Sequence, residues 1–212
     1  MFRRDTFALV AVALIGIVFT IYVVMGSTPF FPKSLQSERG ICPANNAYYL
    51  PEIGPVMDEF TADWYSSGLI PFDERPIFQD SNREQRVVRF TLLRSFHAHV
   101  MVRTVETGDG RVRLIGKWMP GLDGCDRNKV SCSVDRILTD AERTRLVSAQ
   151  SQMLQMPSYG CPSGIDGSMW LMESSGHDQY RFWADWSPVR GDLRDLALVM
   201  LDLTGWRLRE VY

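Results

Sequence analysis

Histidine is scarce in this chain, and so is every local pattern that would organise chemistry around it. The 212 residues contain three histidines, His97, His99 and His177. A structural or catalytic zinc takes three or four protein ligands, and His97 and His99 supply two at most. His177 sits elsewhere, in a predicted hairpin turn. None of the four cysteines forms C-x-x-C or stands at ligand spacing from a histidine, and the G-x-S-x-G nucleophile elbow is absent. Basic runs are missing too. Lys and Arg number 23 against 25 Asp and Glu, interspersed along the chain, so the electrostatic footprint of a nucleic-acid binder is not there. No metal, no cofactor and no nucleic-acid partner is expected.

Charge is also absent from Phe7 to Met25, "FALVAVALIGIVFTIYVVM". Such a run is long enough to cross a bilayer core as a helix. Arg3 and Arg4 precede it and the next basic residue is Lys33, which predicts a cytoplasmic N-terminus and an exported remainder. A cleaved secretory signal has a shorter apolar core, although "V-M-G" at its end offers a cleavage site. The length favours an uncleaved anchor. The expected organisation is a cytoplasmic tail (1–6), a signal anchor (7–26), a Pro-, Ser-, Gly- and Asn-rich stalk (27–54) and an exported domain (55–212). That places a single-pass protein in the inner membrane with its C-terminal domain in the periplasm.

All four cysteines, Cys42, Cys125, Cys132 and Cys161, lie on the predicted outside, where an even count reads as two disulfides with three pairings open. Cys125 and Cys132 bracket the short polar stretch "DRNKVS" and suit a local staple. Cys42 and Cys161 would then tie the early segment to a late loop.

The pattern of the domain is α+β. A helix is expected from Pro55 to about Ser67, with Val56, Phe60, Trp64 and Leu69 at near-helical spacing and Gly68 as its stop. "QRVVRFTLLRSF", "HVMVRTVE" and "RVRLIGKW" alternate with period two, and "TGDGR" between the last two is a hairpin signal. Val88, Phe90 and Leu92 share one face of the first strand, and Arg89, Thr91 and Leu93 the other, giving a meander with one buried face. Thr139 and Glu142 have the spacing of a capping box, which starts a helix running to about Gln155. "SMWLMES" and "QYRFWADW" flank "SGHD" as a second hairpin. A closing helix carries Leu193, Leu196, Ala197, Met200 and Leu201 on one stripe. The expected fold is therefore an antiparallel sheet of five or more strands packed with two to three helices.

Candidate binding residues cluster in and around the second hairpin: Asp166, Trp170, Glu173, Arg181, Asp185 and Trp186, with His97 from the first. Together they would make an aromatic-floored groove carrying two carboxylates. The competing structural reading has Glu173 and Asp185 pairing Arg181 across strands. Trp170, in mid-strand, is expected in the core, and Trp186, at a turn, on the groove's rim. Arg89, Arg103, Arg113 and Lys117 recur on outward positions and would form a basic stripe for an anionic ligand or an acidic partner.

The segments "FTLLRSFHAHVMVRT", "DGSMWLMES", "YRFWADWSP" and "LVMLDLTG" together resemble a widespread bacterial envelope family. Its members carry R-x-F-H, D-G-x-x-W and W-S-P segments before a C-terminal apolar helix. The resemblance spans roughly residues 55 to 205. It implies an exported or anchored bacterial domain and brings no established activity and no catalytic residues. Family members often have proline where His99 stands, which argues against a paired-histidine site.

The function expected from all this is a membrane-anchored periplasmic module that binds an envelope partner or ligand without chemistry. One rival is an envelope hydrolase using His97 with Asp166 or Asp185. Another is an immunity protein against a toxin that acts in the periplasm.

Overall fold

Period-two alternation places successive side chains on opposite faces, so a strand whose every residue is buried must be covered on both sides. Two strands of this chain are of that kind. The computed structural model describes residues 29–43, 51–81, 83–126, 132–209 and 211. The expected membrane anchor lies outside them, and no helix among the described residues is long and apolar enough to cross a membrane.

The elements are β1 (Arg39–Cys42), β2 (Glu52–Pro55), α1 (Glu59–Leu69), β3 (Val87–Arg94), β4 (Val100–Glu106), β5 (Val112–Trp118), β6 (Ser133–Ile137), α2 (Asp140–Met153), β7 (Tyr159–Gly160), β8 (Ser168–Gly176), β9 (Gln179–Trp186) and α3 (Asp192–Leu203). β1 and β2 form a two-stranded ribbon, and the remaining strands form one seven-stranded sheet in the order β6-β5-β4-β3-β8-β9-β7. Every pairing in the large sheet is antiparallel except β7 with β9. The domain is α+β, with three α-helices among the described residues.

β3 and β8 sit at the centre of the sheet and are buried along their whole length. On one face, Val88, Phe90, Leu92, Trp170, Met172 and Trp183 pack against α2 and α3, which contribute Leu146, Met153, Leu193, Leu196 and Met200. On the other, Leu93, Met101, Leu171, Phe182 and Trp186 pack under α1 and the early segment, through Tyr65, Leu69, Phe30, Phe31 and Leu35. β3 therefore has two buried faces where the alternation predicted one, while β5 keeps the single buried face expected of the meander. A second helical layer is the reason, and it is supplied by residues far away in sequence.

That early segment corrects the stalk. The described part of 27–54 packs on the domain: Phe30, Phe31 and Leu35 are core residues, and Arg39–Cys42 pairs with Glu52–Pro55. Phe31 meets the rings of Phe182 and Tyr65 edge-on, with centroids 5.3 and 6.3 Å away. Proline and serine marked it as a linker, while three apolar side chains made it a strap.

α1 also starts later than expected. Pro55 belongs to β2, and Asp58 is the true N-cap, accepting from the Thr61 N–H at 2.7 Å. Tyr65 and Leu69 are its buried residues, so Phe60 and Trp64, about a third of a turn round, face outward. Gly68 lies inside the helix, where an added Cβ would sit 2.7 Å from Leu93 Cδ2. Its bare backbone lets the helix seat close to the sheet. Pro71 then prevents the helix from continuing.

The capping box is present as expected. Thr139 Oγ1 accepts from Glu142 N–H and the Glu142 carboxylate accepts from Thr139 N–H. The two disulfides join Cys42 to Cys161 and Cys125 to Cys132. β6 and β7 were not foreseen. β6 is a polar edge strand, and β7 is two residues long. Neither carries an apolar alternation that a sequence pattern could register.

Candidate interaction face

The residues expected to share a groove are divided by the sheet itself. In the β8–β9 register Trp170 stands opposite Asp185, while Met169 stands opposite Trp186 and Glu173 opposite Phe182. Trp170 and Asp185 thus lie on the α2/α3 side, and Glu173 and Trp186 on the α1 side. The two carboxylates face away from each other, and both are buried. Trp186 is 7% exposed and closely packed: a Cβ on Gly164 would lie 2.3 Å from its Nε1. It is core, not rim. Arg181 donates instead to the carbonyls of Leu154 and Met156, at 2.7 and 3.1 Å, and holds the end of α2.

Glu173 instead meets Arg89 across β3–β8. Arg89 Nε donates to Glu173 Oε2 at 2.7 Å, and the Tyr180 hydroxyl donates to Oε1 at 2.9 Å. Burial pushes the Glu173 carboxyl up, with Arg89 and Tyr180 pulling it back. Arg89 Nη1 also donates to the Arg75 carbonyl at 2.9 Å. Next to it, Glu74 pairs with Arg103 at 3.1 Å and Lys117 at 2.9 Å, and Lys117 donates to the Phe72 carbonyl at 2.6 Å. Arg113 pairs with Asp135 on the neighbouring strand. The expected basic stripe is therefore neutralised, and most of it clamps residues 70–80 onto the sheet.

The two-histidine stretch is a loop, since β3 ends at Arg94 and β4 begins at Val100. The premise of two imidazoles on one strand face therefore falls. His99 Nδ1 accepts from the Arg94 N–H at 3.2 Å, and burial, aided by the Arg94 charge, lowers its pKa. His97 Nε2 lies 3.2 Å from Asp123 Oδ2, and the Arg209 guanidinium meets the other oxygen of the same carboxylate at 3.2 Å. Asp123 was not among the expected residues; it is distant in sequence and belongs to no motif. Asp166 lies exposed on the loop before β8. Among the described residues, no group of three or more His, Cys, Asp or Glu side chains could hold a metal ion. His177 occupies the β8–β9 turn with φ 55°.

What the structure does assemble is one end of the sheet. Four loops meet there: 95–99 between β3 and β4, 119–126 after β5, 161–167 before β8, and 187–191 after β9. They follow the strand order, so each lies beside the next. Ser95 N–H donates to the Gly167 carbonyl at 3.0 Å, Ala98 N–H to Leu122 at 3.1 Å, and Ser187 N–H to Ser168 at 2.8 Å. Ser187 Oγ accepts from Ser168 N–H at 3.0 Å, and Trp170 Nε1 donates to Ser168 Oγ at 2.9 Å. Arg94, fully buried, donates to the Ala98 carbonyl from Nε at 2.9 Å and closes the first loop on itself. Gly167, at φ 142°, has no room for a side chain, because a Cβ would stand 2.4 Å from Ser187 Oγ. The R-S-F-H, D-G-S-M-W and W-S-P segments, scattered along the chain, thus interlock at a single junction.

From this braced junction each loop presents one large apolar side chain to solvent. Phe96 is 58% exposed, Leu122 70%, Ile165 94% and Val189 67%. Asp166 and Arg190 are exposed beside two of them. No protein-family model matches the chain, and a search of curated proteins finds no similar sequence. The class of the domain therefore rests on its own architecture: a disulfide-stapled α+β sheet with a braced, apolar loop end.

Proposed function

We propose that this is an anchored envelope protein whose periplasmic domain binds a protein partner through the loop end of its sheet, without chemistry of its own. The observation that carries the reading is the row of Phe96, Leu122, Ile165 and Val189, one from each of four interlocked loops. A single exposed apolar residue is ordinary, whereas several gathered on one surface mark an interaction site. Mobile tips on a rigid scaffold are where binding residues concentrate. The scaffold here is hydrogen-bonded from loop to loop, which lowers the ordering cost of association. The apolar run at 7–25, the two disulfides and the resemblance to an envelope family support an exported location. Immunity to a periplasm-acting toxin would be one instance of such binding.

The test compares partner capture by the full chain and by a Phe96→Ser, Ile165→Ser double variant, using envelope extracts and matched folded protein. Loss of a specifically retained protein at unchanged melting temperature supports the reading. Undiminished capture by the variant overturns it.

The hydrolytic reading has one observation in its favour, the carboxylate of Asp123 next to His97. A base oriented in this way suits general catalysis only with a nucleophile in reach. His97→Ala would abolish any hydrolysis of envelope esters or amides by the purified chain. Activity that survived this change would exclude His97 as the base.

A further inference from the structure

The outer face of α1 is unlike the outer faces of the other helices. It exposes Phe60 at 79% and Trp64 at 39%, one turn apart, and Ile70 at 58% follows directly after the helix. The other five tryptophans, Trp118, Trp170, Trp183, Trp186 and Trp206, are all buried. From Gly40 to Glu74 the chain has no Lys or Arg, and Glu59 and Asp63 are the charges on the exposed side of α1.

The place where the chain enters the domain lies beside this helix. Pro29 and Phe30 line a half-open cleft of about 390 Å³ together with Ala62, Ser66 and Ile70. The apolar run ends at Met25, four residues before Pro29. Four extended residues span about 14 Å at most. If 7–25 crosses the membrane, the bilayer surface is within that reach of Pro29, and α1 is the neighbouring element. α2 and α3 lie on the far side of the sheet.

We propose that the outer face of α1 rests on the outer surface of the inner membrane, with Phe60, Trp64 and Ile70 in the headgroup–acyl boundary. This rests on the reading of 7–25 as an anchor. Tryptophan and phenylalanine on an amphipathic helix are suited to that depth. The contact is apolar, because an acid-only segment gains nothing from anionic lipid. Docking of this side turns α2 and α3 away from the membrane and leaves the loop end at the flank, open to a partner.

The experiment uses the full chain reconstituted in phosphatidylcholine vesicles, with or without bromine on the acyl chains, and reads tryptophan fluorescence. The Trp64 contribution is the difference between wild type and Trp64→Phe. It loses about half its intensity or more in brominated vesicles if the helix is interfacial. Phe60→Ser with Ile70→Ser, both at exposed positions, reduces that quenching. A tryptophan placed at Val147 on α2, in the Trp64→Phe background, is not quenched. A carbonate wash of the same vesicles tests the anchor separately. An unquenched Trp64 in carbonate-resistant protein overturns the docking and leaves the anchor standing, as would shielding of Trp64 by a second copy. Quenching in protein that carbonate releases supports the docking and overturns the anchor. Release without quenching overturns both, and equal quenching at position 147 overturns the proposed orientation.

Discussion

The two ends of the sheet present different surfaces to solvent. At one end β4 turns into β5 through residues 107–111, and β8 into β9 through His177 and Asp178, both at positive φ. Both are short polar reversals: the first is held locally, Thr107 N–H donating to the Arg111 carbonyl at 2.9 Å and Arg111 Nε to Asp109 at 2.6 Å, while the second is braced from afar, His177 N–H donating to the Arg83 carbonyl at 2.7 Å and Asp178 N–H to the Ser81 carbonyl at 2.8 Å. The capping box of α2 starts near the same end, where Leu138 N–H donates to the Val112 carbonyl. At the other end four loops are tied by hydrogen bonds between residues far apart in sequence. Both disulfides reach that end, through Cys161 and Cys125. A surface that must hold its shape against a partner needs long-range bracing. What separates the two ends is what they expose, polar turns at one and Phe96, Leu122, Ile165 and Val189 at the other, and that difference supports the proposal of a binding face at the loop end.

The sharpest way to break the comparison is to remove a brace. Closing a loop of 119 residues, the Cys42–Cys161 bridge is worth about 5 kcal/mol in the chain-entropy account, against about 2 kcal/mol for the seven-residue Cys125–Cys132 bridge. Cys42→Ser should therefore lower the melting temperature far more than Cys125→Ser. Equal losses would show that the strap is held by its apolar side chains alone.

Trp170→Ala and Trp186→Ala should each cost about 3–5 kcal/mol, since both indoles are buried, one on each face of the sheet. Chemical denaturation of the two variants would read this directly. A mild effect at Trp186 would restore the rim role that its position beside a turn suggested.

The same substitution at two glycines compares the ends on equal terms. Gly167→Ala meets Ser187 Oγ at 2.4 Å and should cost about 1–3 kcal/mol. Gly110→Ala, at φ 79° with no atom within 4 Å, bears only the left-handed backbone penalty, about 1 kcal/mol. If Gly110→Ala proves the more damaging, the loop end yields more easily than the turn end, and the contrast is reversed.

The smallest effect is a pH dependence at the turn end. The Arg136 guanidinium, with the Thr139 N–H, holds the Glu142 carboxyl down at about 2, and the Thr107 hydroxyl and Arg111 hold Asp109 at about 2. Carboxyls whose folded pKa is depressed add stability above their unfolded values, near 4, and lose it as pH falls toward 2. Amide exchange should therefore quicken at residues 107–111 and in the first turn of α2 over that window. The amide of Ser187, whose acceptor is the Ser168 carbonyl, should keep its protection over the same window. Glu142→Gln should remove the effect in α2.

Much of the frame was legible because its determinants are local. Val88, Phe90 and Leu92 had to share a face, Thr139 and Glu142 had to cap a helix, and Leu193 to Leu201 had to form a stripe. The candidate site was legible only in part. The motif segments were visible, but their meeting at Ser168 and Ser187 was not, since backbone hydrogen bonds between distant residues leave no pattern in either partner. His97 was singled out, yet its carboxylate, Asp123, is an ordinary loop residue until the fold brings it near. Phe96, Leu122, Ile165 and Val189 each stand alone between polar residues, glycine or proline, and so leave no apolar pattern in the sequence. Arg89 and Glu173 read as surface charges on alternating strands, because a second covering layer cannot be seen in the strand itself.

The sequence by itself determined the periods, the caps and the turns, since these depend on backbone geometry within a few residues. It also contained four cysteines and a 19-residue apolar run. Only the tertiary structure decided which faces were covered. The strap from Pro29 and helix α1 close over one face of β3 and β8, so Arg89, Glu173 and Trp186 are interior and the predicted groove is split in two. Covering a face removes apolar area from water in proportion to what is brought together, whatever its distance along the chain. That choice is settled by the whole molecule at once.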